Sequence, residues 1–76
     1  MLFQVKTLTG KRFELNTIDF TTILDIKEYI QQNEGMEPSQ IRLIFSGRMM
    51  NDTDLVQNII LVPNSTVNMV LSLRGG

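Results

Sequence analysis

The stretch TTILDIKEYIQQNEG, residues 21–35, decides how the chain is read. Ile23, Ile26 and Ile30 recur at helical spacing and define one apolar stripe. Thr22 is a candidate N-cap, with Asp25 three residues on as a weaker form of the capping box. Gly35 supplies the residue at which such a helix stops, since glycine adopts the left-handed conformation without a Cβ clash. Lys27 falls on the same stripe as the isoleucines. Either its stem packs while its ammonium reaches water, or it is partly buried and needs a carboxylate, because an unpaired buried charge is costly.

Outward from this helix the period changes from 3.6 to 2. Upstream, MLFQVKTLTGKRFELNT reads as a hairpin. Met1, Phe3 and Val5 alternate with Leu2, Gln4 and Lys6, and Phe13 and Leu15 alternate with Arg12, Glu14 and Asn16. Gly10 stands where a bulged turn wants positive φ, which puts Leu8 at the hairpin tip. Downstream, MEPSQ is a polar connector and QIRLIF a short strand, with Ile41, Leu43 and Phe45 on one side and Gln40, Arg42 and Ile44 on the other. Ser46-Gly47 is a turn and RMM at most a short edge strand. Residues 51–65 read as irregular, with Leu55, Val56, Ile59 and Leu61 as core candidates and Pro63-Asn64 as a turn. STVNMVLSL is the last strand, with Val67, Met69 and Leu71 inward and Thr66, Asn68 and Val70 outward. The order strand, strand, helix, strand, strand predicts an α+β domain with one helix laid across a mixed sheet.

These assignments leave Ile44 and Val70 on the outer face, where Leu8 could join them. A contiguous apolar cluster marks a binding surface, whereas scattered apolar residues need no explanation. Strand order is not readable from periodicity, so the spacing leaves open whether the three meet.

Composition narrows the function classes. Seventy-six residues make one domain, in which roughly 60% of the unfolded chain's surface is buried. There is no cysteine and no histidine, which removes zinc sites and the common nucleophile–base pairs. Asp52 and Asp54 form a D-x-D that reads as a solvated turn, since a calcium loop needs further oxygen ligands at set spacing. LTGK lacks the remainder of a phosphate-binding loop. An enzyme is not expected, and no metal or cofactor is. The net charge of −1 with interspersed signs offers no basic stripe for nucleic acid. No apolar run approaches the ~20 residues of a membrane span, so no membrane association is expected. The N-terminus opens into a strand pattern, so no signal peptide is expected. The lack of cysteine is compatible with cytosol or nucleus.

VKTLTGK, Glu34-Gly35, RLIFSG and the terminal LRGG together resemble ubiquitin and its nearest relatives, without gaps over the whole length. The resemblance implies a β-grasp domain over residues 1–72, with strands near 1–7, 10–17, 40–45, 48–49 and 66–72, a helix near 23–34, and a flexible conjugation tail at 73–76. It implies that Leu8, Ile44 and Val70 form one partner-binding patch together with Gly47 and Asn68, and that Asp52 holds Lys27. It further implies activation of Gly76 as an adenylate and then a thioester, ending in an isopeptide bond to a target lysine. Gly75 and Gly76 suit a narrow enzyme channel because neither carries a Cβ. Ser72, Leu71, Leu73, Arg74 and Arg42 would be read by the activating enzyme. ATP would be consumed by that enzyme, and no cofactor held by this chain.

Leu2, Glu14, Glu28, Ser46 and Met50-Asn51-Asp52 are similar to the Nedd (Rub) type, whereas Ile23, Gln31, Phe45 and Thr66 are similar to ubiquitin itself. Ser72 is small and neutral, like the alanine of the Nedd type and unlike the arginine of ubiquitin. Arg48 and Pro63 stand where ubiquitin has its two main acceptor lysines, leaving Lys6, Lys11 and Lys27 as the only lysines. Gln4, Met36 and Asn68 fit neither pattern. The implied function is neddylation of cullin-type targets by a monomer in cytoplasm and nucleus, with activating and conjugating enzymes, ligases and deconjugating proteases as partners. A divergent ubiquitin is the alternative, and a noncovalent ubiquitin-like domain or a sulfur carrier is more remote.

Overall fold

The computed structural model describes residues 1–7 and 9–72. Helix α1 runs Ile23–Glu34, the extent its end signals predict. The Thr22 hydroxyl accepts the Asp25 N–H, and the Asp25 carboxylate accepts the N–H groups of Thr22 and Thr21, both at 3.0 Å. The backbone donor of Thr22, followed by that of Thr21, lowers the Asp25 pKa below its ordinary value. Gly35 ends the helix in the left-handed conformation, at φ 74°.

Five strands form one mixed sheet: β1 (Leu2–Lys6), β2 (Arg12–Asn16), β3 (Ile41–Phe45), β4 (Arg48–Met49) and β5 (Ser65–Leu71), in the order β2-β1-β5-β3-β4. The central pair β1–β5 is parallel and the other three are antiparallel. Ser46 and Gly47 both take positive φ, 53° and 79°, which gives β3 and β4 the two-residue turn that matches strand twist.

The inner face of the sheet closes on α1. Phe3, Val5, Leu15, Leu43, Val67 and Met69 pack against Ile23, Ile26 and Ile30 as one buried cluster. Phe20 is held edge-on between Phe3 and Tyr29, with centroids 6.3 and 5.6 Å away.

Several sequence-based expectations are corrected. Residues 51–65 are not wholly irregular, because Val56–Ile59 form a short helix, α2. That turn rotates the chain so that Ile60, not Leu61, is fully buried; Leu61 is 65% exposed. Leu71, expected to point inward, is exposed at the end of β5, and Met1, which the alternation groups with Phe3 and Val5, is exposed just before β1, where the cluster has run out. Gln40 belongs to a 3-10 turn, Pro38–Gln40, rather than to β3. Met50 is buried. The strands begin and end within about two residues of expectation.

The loop between β4 and α2 binds the start of α1. Ile23 and Leu24 donate N–H groups to the carbonyls of Asp54 and Asp52, so the loop satisfies donors that a helix N-terminus otherwise leaves orphaned. The same loop presents Asp52 to Lys27, which is buried as its place on the isoleucine stripe predicts.

Candidate functional site

The alternation that buries Leu43, Val67 and Met69 turns Ile44, Asn68 and Val70 to the outer face. Register then decides which of them meet. Ile44 lies opposite Asn68, and Arg42 lies opposite Val70. Asn68 also pairs with Lys6 on β1, and Ile44 with Met49 on β4. One row across the sheet therefore reads Lys6, Asn68, Ile44, Met49, with Arg42 and Val70 in the next. Ile44 and Val70 are half-buried, while Arg42, Asn68 and Met49 are exposed. Gly47 sits in the turn between β3 and β4.

Of the expected patch, the structure thus brings together Ile44, Asn68 and Val70, with Gly47 nearby in the turn. Leu8 lies outside the described residues, as do Leu73, Arg74, Gly75 and Gly76 of the expected tail. Ser72 sits where the patch leads towards the tail. Its N–H donates to the Gln40 carbonyl at 2.6 Å, which extends the β5–β3 ladder one residue beyond Leu71. Ser72 is therefore tied to the sheet at the end of the strand that carries Val70, two residues after Val70 and across from Arg42's strand.

Sequence reasoning passed over Met49 and Lys6 as members of this face. A signal for Met49 was present: a two-residue turn at Ser46-Gly47 fixes Phe45 opposite Arg48 and hence Ile44 opposite Met49. Arg42 Nη1 donates to the Met49 sulfur at 3.0 Å.

Charge is segregated about the sheet. Lys6, Arg12 and Arg42 share the outer face with Glu14 as its carboxylate, and Arg12 donates to Gln4 at 2.9 Å. Asp25, Glu28 and Glu34 lie on α1, and Asp52 and Asp54 on the loop beside it. The outer face thus carries Ile44, Val70 and Met49 beside Asn68, with Lys6 next to Asn68 and Arg42 opposite Val70. Among the described residues no group of three or more acidic side chains converges to hold a metal ion. No helix of the described residues is long and apolar enough to cross a membrane.

A five-stranded mixed sheet with one main helix packed beneath it defines a small β-grasp domain. The ubiquitin family model matches residues 3–74. The chain is 43% identical over 76 residues to "Ubiquitin-like protein NEDD8" of Dictyostelium discoideum, covering 100% of this chain and 99% of that protein. It is also 43% identical to "Ubiquitin-like protein 1" of Schizosaccharomyces pombe, covering 100% and 97%, and 41% identical to "NEDD8-like protein RUB1" of Saccharomyces cerevisiae, covering 100% and 99%. The chain belongs to the ubiquitin family, and its likeness within that family is to the NEDD8/Rub type.

Proposed function

We propose that this chain is a Nedd-type protein modifier, attached through Gly76 to lysines of other proteins, cullin-type scaffolds among them. The observation that carries the reading is the continuity of β5: Val70 of the outer face, Leu71 and the tethered Ser72 follow one another directly into LRGG. A partner surface and a chemical handle are thereby joined by a short run of chain.

In this reading an activating enzyme joins the Gly76 carboxylate to AMP from ATP, releasing pyrophosphate. A cysteine thiolate of that enzyme then displaces AMP to form the thioester. After transfer to a conjugating enzyme, and with a ligase, a target lysine amine displaces the thiolate and forms the isopeptide bond. Deconjugating proteases hydrolyse that bond. The chain contributes no catalytic group; thiolates and ATP sites belong to its enzymes. Gly75 and Gly76 carry no Cβ and so suit an enzyme channel too narrow for side chains. Leu71, Leu73, Arg74 and Arg42 give the activating enzyme apolar and cationic handles, and Ser72 selects which activating enzyme is used. Ile44, Val70, Asn68, Gly47 and Leu8 form the noncovalent docking face. The chain works as a monomer, in cytoplasm and nucleus.

The test is intact-mass analysis after incubation with a Nedd-type activating enzyme, its conjugating enzyme, ATP and a cullin. The full chain should appear in an isopeptide-linked product, and a chain lacking Gly75 and Gly76 should fold and yield none. Conjugation of the truncated chain would refute the reading.

A further inference from the structure

The five methionines of the chain occupy contrasting environments. Met50 and Met69 are 5% and 3% exposed and belong to the core, whereas Met49, next to Met50 in sequence, is 54% exposed. Met49 stands opposite Ile44 on the outer face, and its sulfur accepts an N–H from the Arg42 guanidinium at 3.0 Å. A thioether is a weak acceptor with two lone pairs, so this contact leaves one lone pair open to attack from solvent.

We infer that Met49 is a reversible oxidation site, taking a hydroperoxide as oxidant, and that Arg42 holds the product. The sulfur lone pair attacks the terminal peroxide oxygen. The S–O bond forms as the O–O bond breaks; sulfur loses two electrons and the peroxide gains them. The proton of the transferred oxygen passes to the departing oxygen, so that hydrogen peroxide leaves as water. The sulfoxide oxygen is a far stronger acceptor than the thioether, and the Arg42 guanidinium, already at the sulfur, carries five N–H donors from which to reach it.

Two changes to the outer face follow. The apolar neighbour of Ile44 becomes polar, and Arg42, opposite Val70, is fixed towards β4. The face thereby loses apolar area beside Ile44, at the β4 edge, without any change in the core. The buried Met50 and Met69 serve as internal controls for access. No docking partner or conjugating enzyme enters the inference, so it stands or falls separately from the function proposed above.

The test treats the full chain with dilute hydrogen peroxide and follows each methionine by peptide mass, alongside the Arg42 Nε–H and Ile44 methyl signals by NMR. Met49 should gain one oxygen roughly tenfold faster than Met50 and Met69. The Arg42 and Ile44 signals should shift in step with it, and both should return on treatment with methionine sulfoxide reductase and a dithiol. Met49→Leu, oxidised in the same way, should show neither shift; because Met1 remains in that variant, it reports any effect of oxidation elsewhere. Equal rates at Met49 and the two buried methionines would overturn the inference. So would unmoved Arg42 and Ile44 signals in a chain whose Met49 is oxidised by mass, or the same shifts in Met49→Leu.

Discussion

The Lys27 ammonium donates to the Asp52 carboxylate, with Nζ 2.5 Å from Oδ1, and the two side chains are unequally covered: Lys27 is 9% exposed and Asp52 51%. The asymmetry sets the energetic worth of the pair. Breaking a fully buried pair costs about 3–5 kcal/mol, and an exposed pair is worth about 0–1 kcal/mol. The half-solvated carboxylate keeps part of its hydration, so loss of Lys27 should cost about 1–3 kcal/mol, including the packing of its stem.

Lys27→Ala should therefore lower the urea midpoint clearly more than Lys6→Ala, and Lys27→Met, which keeps the stem, should fall between them. Equal, small shifts for Lys27→Ala and Lys6→Ala would show that the pair contributes nothing.

Asp25 makes stability depend on acid. Its folded pKa lies below the ordinary value of 3.8, chiefly because the Thr22 N–H, and then that of Thr21, favours the ionised carboxylate. A depressed folded pKa contributes stability that is fully present above the unfolded value and is lost as pH falls through the folded one. Wild type should be more stable than Asp25→Ala at neutral pH, and part of that advantage should vanish below about pH 4. Urea titrations of both chains at neutral and acid pH check this. An advantage unchanged down to the acid limit would show that the ionised carboxylate has no part in the cap.

The helix and its cap were legible because their signals are local: Thr22, Asp25 and Gly35 fix both ends, and the isoleucine spacing fixes the buried stripe. The inward sets of β1 and β3 were legible for the same reason, since alternation needs no knowledge of neighbours. Ile60 and Leu61 were exchanged because the four residues of α2 are too short to impose a period. Leu71 was misassigned because alternation tells which way a side chain points but not whether anything covers it. The contact of Ile44 with Asn68 and of Lys6 with Asn68 depends on β5 lying between β1 and β3, a nonlocal fact that no window of sequence contains.

The outer face should dock partners weakly and reversibly. Fully burying an exposed Ile side chain is worth roughly 1.5–3 kcal/mol, and Ile44 is already half-buried, so Ile44→Ala should weaken docking about threefold to tenfold. The substitution should leave thioester formation largely intact if, as proposed, charging reads the tail and Ser72. Isothermal titration against a Nedd-type deconjugating protease, beside a charging assay, measures both. Equal loss of docking and charging would show that one surface performs both tasks.

Docking at this face should also be insensitive to mild acid. The chain has no histidine, and Asn68, between Ile44 and Lys6, carries an amide that does not titrate. Affinity for a fixed, histidine-free partner peptide should stay within about twofold between pH 5.5 and 7.5, whereas Asn68→His should introduce a dependence centred near pH 6.5. A steep pH dependence in the wild type would place the titrating group elsewhere on the chain.

The identity of the activating enzyme tests the account most directly. Ser72 is neutral and is held by its backbone beside the strand that carries Arg42. A neutral side chain there avoids repulsion from a cationic enzyme site and forfeits attraction to an acidic one. The measurement is thioester yield with ATP on a Nedd-type and on a ubiquitin-type activating enzyme, for wild type and for Ser72→Arg. Wild type should be charged by the Nedd-type enzyme and poorly by the other, and Ser72→Arg should shift the preference towards the ubiquitin-type enzyme; preferential charging of wild type by the ubiquitin-type enzyme would contradict the account.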